Sequence, residues 1–256
     1  MSKSIDFQGA VVLITGGSRG LGLAQAAAFK ATGAQVAITA RDPDTLEQAC
    51  ETLDAAPGLA VRAYAHDMRD HAGVGALVDR IEQEVGAIQS LVNNAGVHLK
   101  KPVWDVAFDE WNNVVDINLT GVFTMTREVL RHMVPRKAGS IVNISSMGGL
   151  MALPSATAYV TTKTALIGFT RSVAVDAGAY SIRCNAVCPG FIDTEMTRKV
   201  LAGDPARSTK IRGRIPMPRL GQGEDIANAC VFLCSEMASY INGQSLAIDG
   251  GYSIGF

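Results

Sequence analysis

Short apolar segments alternate with longer helix-patterned segments from one end of the chain to the other, and this alternation restricts the fold more than any other feature. Residues 10–14, 35–39, 59–65, 90–92, 140–144, 181–187 and 245–248 read as strands. Between them the pattern predicts helices from a glycine-rich turn to about residue 30, then over 43–53, 72–85, 115–133, 158–177 and 225–234. Strands joined by helical crossovers require a parallel sheet covered on both faces. The expectation is an α/β, doubly wound, seven-stranded parallel sheet in a single domain over 1–256. Ligands of such sheets bind beyond the carboxyl ends of the strands. The one long irregular stretch, 190–223, contains Pro205, Pro216 and Pro218; it is expected to pack as a partly helical lid.

Composition narrows the function classes. The 23 Lys and Arg residues against 24 Asp and Glu give a formal charge of −1. A general nucleic-acid partner is therefore not expected, because phosphate-backbone affinity needs a concentrated cationic surface. Residues 1–8 hold no apolar run, and no segment reaches about 18 apolar residues without a polar break. No membrane partner is expected, and the reading favours the cytoplasm. Five Cys residues, an odd count, argue against a disulfide framework. Cys184 alternates with Ile182 and Ala186 in a strand pattern and Cys230 lies in an apolar helical stretch. The cysteines thus read as core rather than as a thiolate metal site.

Thr15-Gly16-Gly17-Ser18-Arg19-Gly20-Leu21-Gly22 follows the first strand and opens the first helix. Glycines there let backbone approach a pyrophosphate, and the helix N-terminus offers free N–H groups and a positive dipole end. Gly16, Gly20 and Gly22 are the expected cofactor-facing positions. The spacing differs from the standard dinucleotide fingerprint, and no Gly-Lys-Ser or Gly-Lys-Thr follows, which excludes a P-loop. A tight strand-to-helix connection is the purely structural alternative.

The second strand ends Ile38-Thr39-Ala40-Arg41, where an NAD site usually carries an acid. Arg41 suits a ribose 2'-phosphate, since a guanidinium presents several donors at fixed geometry. Arg19 can reach the same phosphate, while Asp42 is placed to cap the helix beginning at Pro43. NADP(H) is therefore favoured over NAD(H). Asp67, after the third strand, is a candidate acceptor for the adenine amino group. Asn93-Asn94-Ala95-Gly96 follows the fourth strand and joins small residues for close approach to amides that can tie strand ends.

Tyr159 and Lys163 lie at i and i+4 on one helix face. A phenol near pKa 10 is a poor acid or base at neutrality, and a neighbouring ammonium is expected to lower that value. Ser146, at a strand end, can donate to a carbonyl or alkoxide oxygen. Together these groups would hold a substrate oxygen while Tyr159 transfers its proton. Each residue alone has an ordinary structural reading: a core tyrosine, a snorkelling lysine, a capping serine.

The combined motifs resemble the classical short-chain dehydrogenase/reductase family over nearly the whole chain. Thr15 to Gly22 matches its cofactor motif, Asn93 to Gly96 its Asn-Asn-Ala-Gly, and Tyr159 to Lys163 its Tyr-x-x-x-Lys. The family's serine lies 13 residues before the tyrosine, which selects Ser146 over Ser145. The resemblance implies a Rossmann-like fold and a hydride transfer between a carbonyl compound and a nicotinamide. It makes Asn118, in Asn118-Leu119-Thr120-Gly121, the fourth active-site residue, bending the long helix around a water that joins Lys163 to a proton relay. It adds Ser18, Leu21, Met68, Asn94, Ala95, Gly96, Pro189, Gly190, Ile192 and Thr194 to the cofactor contacts. Arg19 and Arg41 together resemble the NADP-preferring branch. The family's usual homotetramer would use the helices at 115–133 and 158–177 as one interface and the C-terminal segment through Phe256 in another.

The expected substrate pocket surrounds His98, 148–154, Phe191 and the lid, with Met147, Leu150, Met151 and Leu153 as an apolar wall. This suits a small or medium hydrophobic ketone. Arg207, Lys210, Arg212, Arg214 and Arg219 occur with no acid from 206 to 222. That bias opens the alternative of an anionic acyl thioester, as in the 3-oxoacyl-acyl-carrier-protein reductases the chain is similar to; a solvated cationic face is the simpler reading. The same residues are also compatible with a NAD-dependent secondary-alcohol dehydrogenase and with a nicotinamide sensor that turns nothing over. His66, His71 and His132 form no metal-ligand pattern, and no metal is expected.

Overall fold

Five residues in succession, Val-Val-Leu-Ile-Thr, make β1 (Val11–Thr15), which is buried along its whole length. A strand that is apolar on both faces belongs in the middle of a parallel sheet. The computed structural model describes residues 5–255 and, within that span, every side chain except those of Glu195, Met196, Lys199 and Val200. It places β1 between β2 (Gln35–Ala40) and β4 (Ile88–Asn93). Beyond these lie β3 (Arg62–Ala65) on one side, and β5 (Gly139–Ile144), β6 (Ile182–Pro189) and β7 (Ser245–Ile248) on the other. The order is β3-β2-β1-β4-β5-β6-β7 and every pairing is parallel. This is the seven-stranded doubly wound sheet that the alternation predicts.

Helices cover both faces. Phe29 of α1 (Gly20–Ala31), Leu46 and Leu53 of α2 (Pro43–Asp54) and Ile226 of a C-terminal helix share one core with Val12, Ile14 and Ile38. On the other face, Ile81 of α3 (Val74–Glu84), Met125 and Met133 of α5 (Gly121–Arg136) and Val173 of α6 (Thr157–Gly178) pack on Leu13, Leu91 and Ile141. Cys184 belongs to this second core, whereas Cys230 and Cys234 belong to the first. The sheet thus separates Cys184 from the Cys230 and Cys234 pair. Among the described residues no helix is long and apolar enough to cross a membrane.

Several boundaries differ from the sequence expectation by a few residues, and two of the differences have a clear local cause or consequence. The third strand begins at Arg62 rather than at 59, because Val61 donates its N–H to Asp54 Oδ1 (3.0 Å) instead of to the ladder, and Leu59 is exposed. The long helix begins earlier, with α4 (Phe108–Val115), and passes into α5 through a π-helical turn over Asp116–Thr120. The lid contains α7 (Glu195–Ala202) and α8 (Pro205–Arg214), so it is partly helical as expected. The chain then enters α9 (Gly223–Cys234), the helix that carries Ile226.

A buried polar chain crosses the middle of the second layer. Asn93 Nδ2 donates to Asn143 Oδ1 (2.8 Å) and Thr126 Oγ1 (2.9 Å), and Asn143 Nδ2 donates to Thr170 Oγ1 (2.9 Å). It joins β4, β5, α5 and α6 immediately before the strands reach the ligand side. Buried polar groups left without partners cost about 1–3 kcal/mol each. Asn143→Ala should therefore lower the unfolding free energy by about 3 kcal/mol in urea denaturation, and an unchanged midpoint would show that the chain contributes nothing net.

Candidate active site

The strand order reverses between β1 and β4, which opens a crevice at their carboxyl ends. Thr15 Oγ1 accepts N–H bonds from both Asn94 and Ala95 (3.0 Å each). The Asn94 amide reaches back and donates to the carbonyls of Thr15 (3.0 Å) and Gly16 (3.1 Å). Gly16 turns through the left-handed region at φ +67°, and a Cβ at Gly22 would overlap the Gly16 carbonyl oxygen. The first turn of α1 is thereby pressed against the end of β1, with no side-chain cap over its N-terminal N–H groups. These features fit a dinucleotide pyrophosphate.

Arg19 and Arg41 are exposed at the rim of this crevice, and Ser18 lies beside α2 with its hydroxyl 3.5 Å from Thr45 Oγ1. Asp42 caps α2 by accepting the Asp44 N–H (3.1 Å), which leaves Arg41 as the side chain presented there. Asp67 is engaged by Arg69, whose guanidinium grips both carboxylate oxygens (2.5 and 3.1 Å). The Arg69 hydrogen bonds, with help from the Arg41 charge, hold the Asp67 carboxyl down at about 2. Met68 is buried, its carbonyl close against Gly121, and Leu21 is half-buried beside the first core.

The reacting groups converge where β4, β5 and α6 meet. Lys163 is buried and donates to the carbonyl of Ile144 (2.7 Å); its Nζ lies 5.8 Å from the Tyr159 ring centroid. A Cβ at Gly96 would stand 3.2 Å from Asn118 Oδ1 and 3.4 Å from Lys163 Nζ, so glycine keeps the ammonium open to the crevice. Asn118 sits in the π-helical turn, exchanges hydrogen bonds with Val97 N–H (2.8 Å) and Val97 C=O (2.9 Å), and donates to Thr162 Oγ1 (3.3 Å). Ser145 turns away from the crevice to donate to the Lys163 carbonyl (2.7 Å). Ser146 accepts the Gly148 N–H (2.9 Å), and a Cβ at Gly148 would stand 3.3 Å from Ser146 Oγ and 3.6 Å from the Tyr159 ring.

Electrostatics here run against one sequence expectation. Burial pushes the Tyr159 phenol above its ordinary value, and the Ser146 hydrogen bond only partly opposes this. Burial likewise lowers the Lys163 ammonium to about 8. Desolvation favours the neutral form of both groups, and in the ligand-free protein it outweighs any lowering of the phenol by the lysine.

Pro189 and Gly190 close β6 where the C-terminal segment passes; a Cβ at Gly190 would strike Asp249. Ile192 is buried and pairs with Gly221, pinning the two ends of the lid together. The Thr194 hydroxyl accepts the Thr197 N–H (3.2 Å) at the start of α7. Met151 and Phe191 pack with Leu153 against the lid cluster of Met147, Leu201, Ile211, Ile215, Leu220 and Tyr252. The His98 ring lies against that of Tyr159, centroids 4.5 Å apart and planes tilted by 45°. Sequence reasoning missed the parts played by Thr15, as acceptor for two strand-end N–H groups, and by the Ile144 carbonyl. A threonine opening a glycine turn was a usable signal, whereas a main-chain acceptor leaves none. Among the described residues no group of three or more His, Cys, Asp or Glu could hold a metal ion.

Comparison with known proteins places this geometry in a family. Residues 16–253 match the family model described as enoyl-(acyl carrier protein) reductase. The chain is 39% identical to 2-(R)-hydroxypropyl-CoM dehydrogenase of Xanthobacter autotrophicus over 95% of its length and 98% of the relative's. It is 38% identical to a 3-oxoacyl-[acyl-carrier-protein] reductase of Pseudomonas aeruginosa, over 96% and 98% of the two chains. Its structure is similar to a gluconate 5-dehydrogenase from Burkholderia cenocepacia in complex with NADP and tartrate, with a TM-score of 0.93, 34% identity and 98% of each chain covered.

The close packing of α1 on the end of β1 yields a direct check. Gly22→Ala should force the glycine turn outward and weaken dinucleotide binding by at least about tenfold, a loss of about 1.4 kcal/mol, in a fluorescence titration. The far-UV circular dichroism should stay that of the parent protein. Unchanged affinity would remove the crevice from the cofactor's path.

Proposed function

The chain belongs to the short-chain dehydrogenase/reductase superfamily, and on that premise we propose that it is an NADP(H)-dependent oxidoreductase interconverting a ketone and a secondary alcohol. The observation that carries this reading is the convergence of Ser146, Tyr159 and Lys163 beside the β1–β4 crevice. A bound nicotinamide supplies or accepts the hydride. Ser146 accepts the Gly148 N–H, which orients its hydroxyl, and its one hydrogen is the donor for a substrate oxygen. Tyr159, whose half-buried setting favours the neutral phenol, donates a proton to that oxygen as negative charge develops. Lys163 presents the remaining N–H bonds of a buried head group held on one side by Ile144; these are the donors for the nicotinamide ribose. Asn118 fixes Val97 and Thr162 around the lysine.

Arg41 is the group that favours NADP(H). It stands exposed at the end of β2, where Asp42 is occupied with capping and Asp67 with Arg69. Gly16, Gly20, Gly22 and Asn94 to Gly96 would line the pyrophosphate and nicotinamide path, with Pro189, Gly190, Ile192 and Thr194 on its far side. The substrate is a small or medium-sized carbonyl compound whose apolar part lies toward Met151 and Phe191. A 3-oxoacyl thioester is the second reading, supported by the similarity to the Pseudomonas reductase. Apolar surface left open at Phe123 of α5 and Val175 of α6 supports assembly as a homotetramer; Phe256, assigned to a second interface, lies outside the described residues.

Two variants test the reading. Tyr159→Phe should lose about a thousandfold in turnover of ketones with NADPH, the scale of a positioned proton donor, while cofactor binding is retained; full activity would refute the assignment. Because burial favours the neutral phenol, the ultraviolet difference between parent and Tyr159→Phe in the ligand-free protein should have its midpoint above the ordinary phenol value of 10.0. Arg41→Asp should weaken NADPH binding by about 10- to 100-fold, as expected on exchanging an attractive charge for a repulsive one, and NADH binding much less. Equal losses would exclude a 2'-phosphate contact.

A further inference from the structure

The cations of the lid have different fates in the fold. Arg219 is paired with Asp225 through two bonds (2.6 and 2.9 Å). Arg214 donates to the Tyr252 carbonyl (3.1 Å) and lies 4.9 Å over that ring. Lys210 and Arg212 are exposed. Arg207 is half-buried, and its Nη1 is closed off from solvent without a hydrogen-bond partner among the described residues. The nearest acid in sequence, Asp204, spends an oxygen on the Arg207 main-chain N–H (2.9 Å) to cap α8. Guanidinium nitrogens withdrawn from water are ordinarily matched by acceptors, so this one points to an acceptor that arrives with a ligand.

The position of Arg207 says which ligand. Ile211, one turn further along the same face of α8, is buried in the cluster that seats the lid on Met147 and, through it, on Met151, Leu153 and Phe191. Arg207 therefore hangs on the side of α8 that faces the reacting groups. Its charge and that of Lys100 both act on His98, and with the loss of hydration they hold the imidazole below its ordinary value. His98 in turn lies tilted against the Tyr159 ring. The mouth of the reacting site thus carries positive charge on its lid side.

We propose that Arg207 is the specificity-determining residue of the substrate site and binds a carboxylate carried by the carbonyl substrate, with His98 between that carboxylate and Tyr159. The substrate class is an oxocarboxylate and the corresponding hydroxycarboxylate. A carboxylate fits better than the phosphate of an acyl thioester, because the whole pantetheine chain separates that phosphate from the ketone. This inference rests on Tyr159 being the proton donor to the substrate oxygen.

The test uses 4-oxopentanoate and 5-oxohexanoate with their methyl esters, NADPH, and the parent, Arg207→Met and Arg207→Lys proteins. In the parent, the acids should have KM values about 10- to 100-fold below those of the esters, the range of a hydrogen-bonded charge contact. Arg207→Met should abolish that preference through KM for the acids alone, and Arg207→Lys should restore part of it. A preference absent in the parent, or unchanged in Arg207→Met, overturns the proposal. Calorimetric titration of the same acids into NADPH-loaded protein provides a readout that does not need turnover. Carboxylate binding that is lost in Arg207→Met supports the site even if no ketone is reduced, an outcome that would count against the Tyr159 chemistry instead. Equal binding by parent and Arg207→Met, or none by either, overturns the site.

Discussion

The clasp between Asn94 and the end of β1 is the interaction from which the rest of the site takes its position. Four hydrogen bonds join Asn94 and Ala95 to Thr15 and Gly16 at the one place where neighbouring strands lead their crossovers in opposite directions. A crevice there is a consequence of topology, but its width is set by this clasp. With the strand ends tied, Gly16 is held at positive φ and Gly22 packs on its carbonyl. The same segment continues through Gly96 and Val97 to Asn118, so one loop fixes both the pyrophosphate side and the lysine side of the crevice.

Burial then decides the resting protonation of the reacting pair. Withdrawal from water disfavours the charged form of each, so the Tyr159 phenol moves up and the Lys163 ammonium down to about 8, in opposite senses for that single reason. Lys163 retains one carbonyl acceptor, from Ile144, too few to hold a full charge cheaply in such a place. If the phenol gives up its proton to a substrate oxygen, the phenolate becomes the counter-charge the ammonium lacks.

Much of this is legible in the sequence, and the exceptions have physical causes. The sheet can be read because a strand covered on both faces must be apolar throughout, as Val11–Thr15 is. Tyr159 and Lys163 can be read from their i, i+4 spacing, whereas Ser146 is selected over Ser145 only by the family resemblance. The start of α4 is hidden because Phe108 and Trp104 are exposed, so their apolar character marks no core-facing stripe. The third strand is shorter than its apolar stretch because extended chain need not pair: Val61 satisfies its N–H on Asp54. The direction of the Tyr159 shift requires knowing how deeply the ring lies, which spacing alone does not contain. Arg207 stands in a run of cations that look alike until Asp225 and Tyr252 claim two of them.

The lid's anchoring explains how such a site can change its preference without losing its chemistry. Its two ends are joined by main-chain bonds, Asp193 N–H to Gly221 C=O (2.7 Å) and Gly221 N–H to Phe191 C=O (3.0 Å), and Gly190 lies against Asp249. None of these contacts uses a lid side chain that faces the substrate. The helices between them pack through a small apolar cluster, separate from the two cores that hold the sheet. Side chains on α8 can therefore be exchanged at little cost to the crevice, while any change at Asn94, Gly22 or Lys163 is felt by every substrate. The sheet ends and the lid are therefore held by separate sets of contacts, the arrangement in which a rigid scaffold presents variable connections.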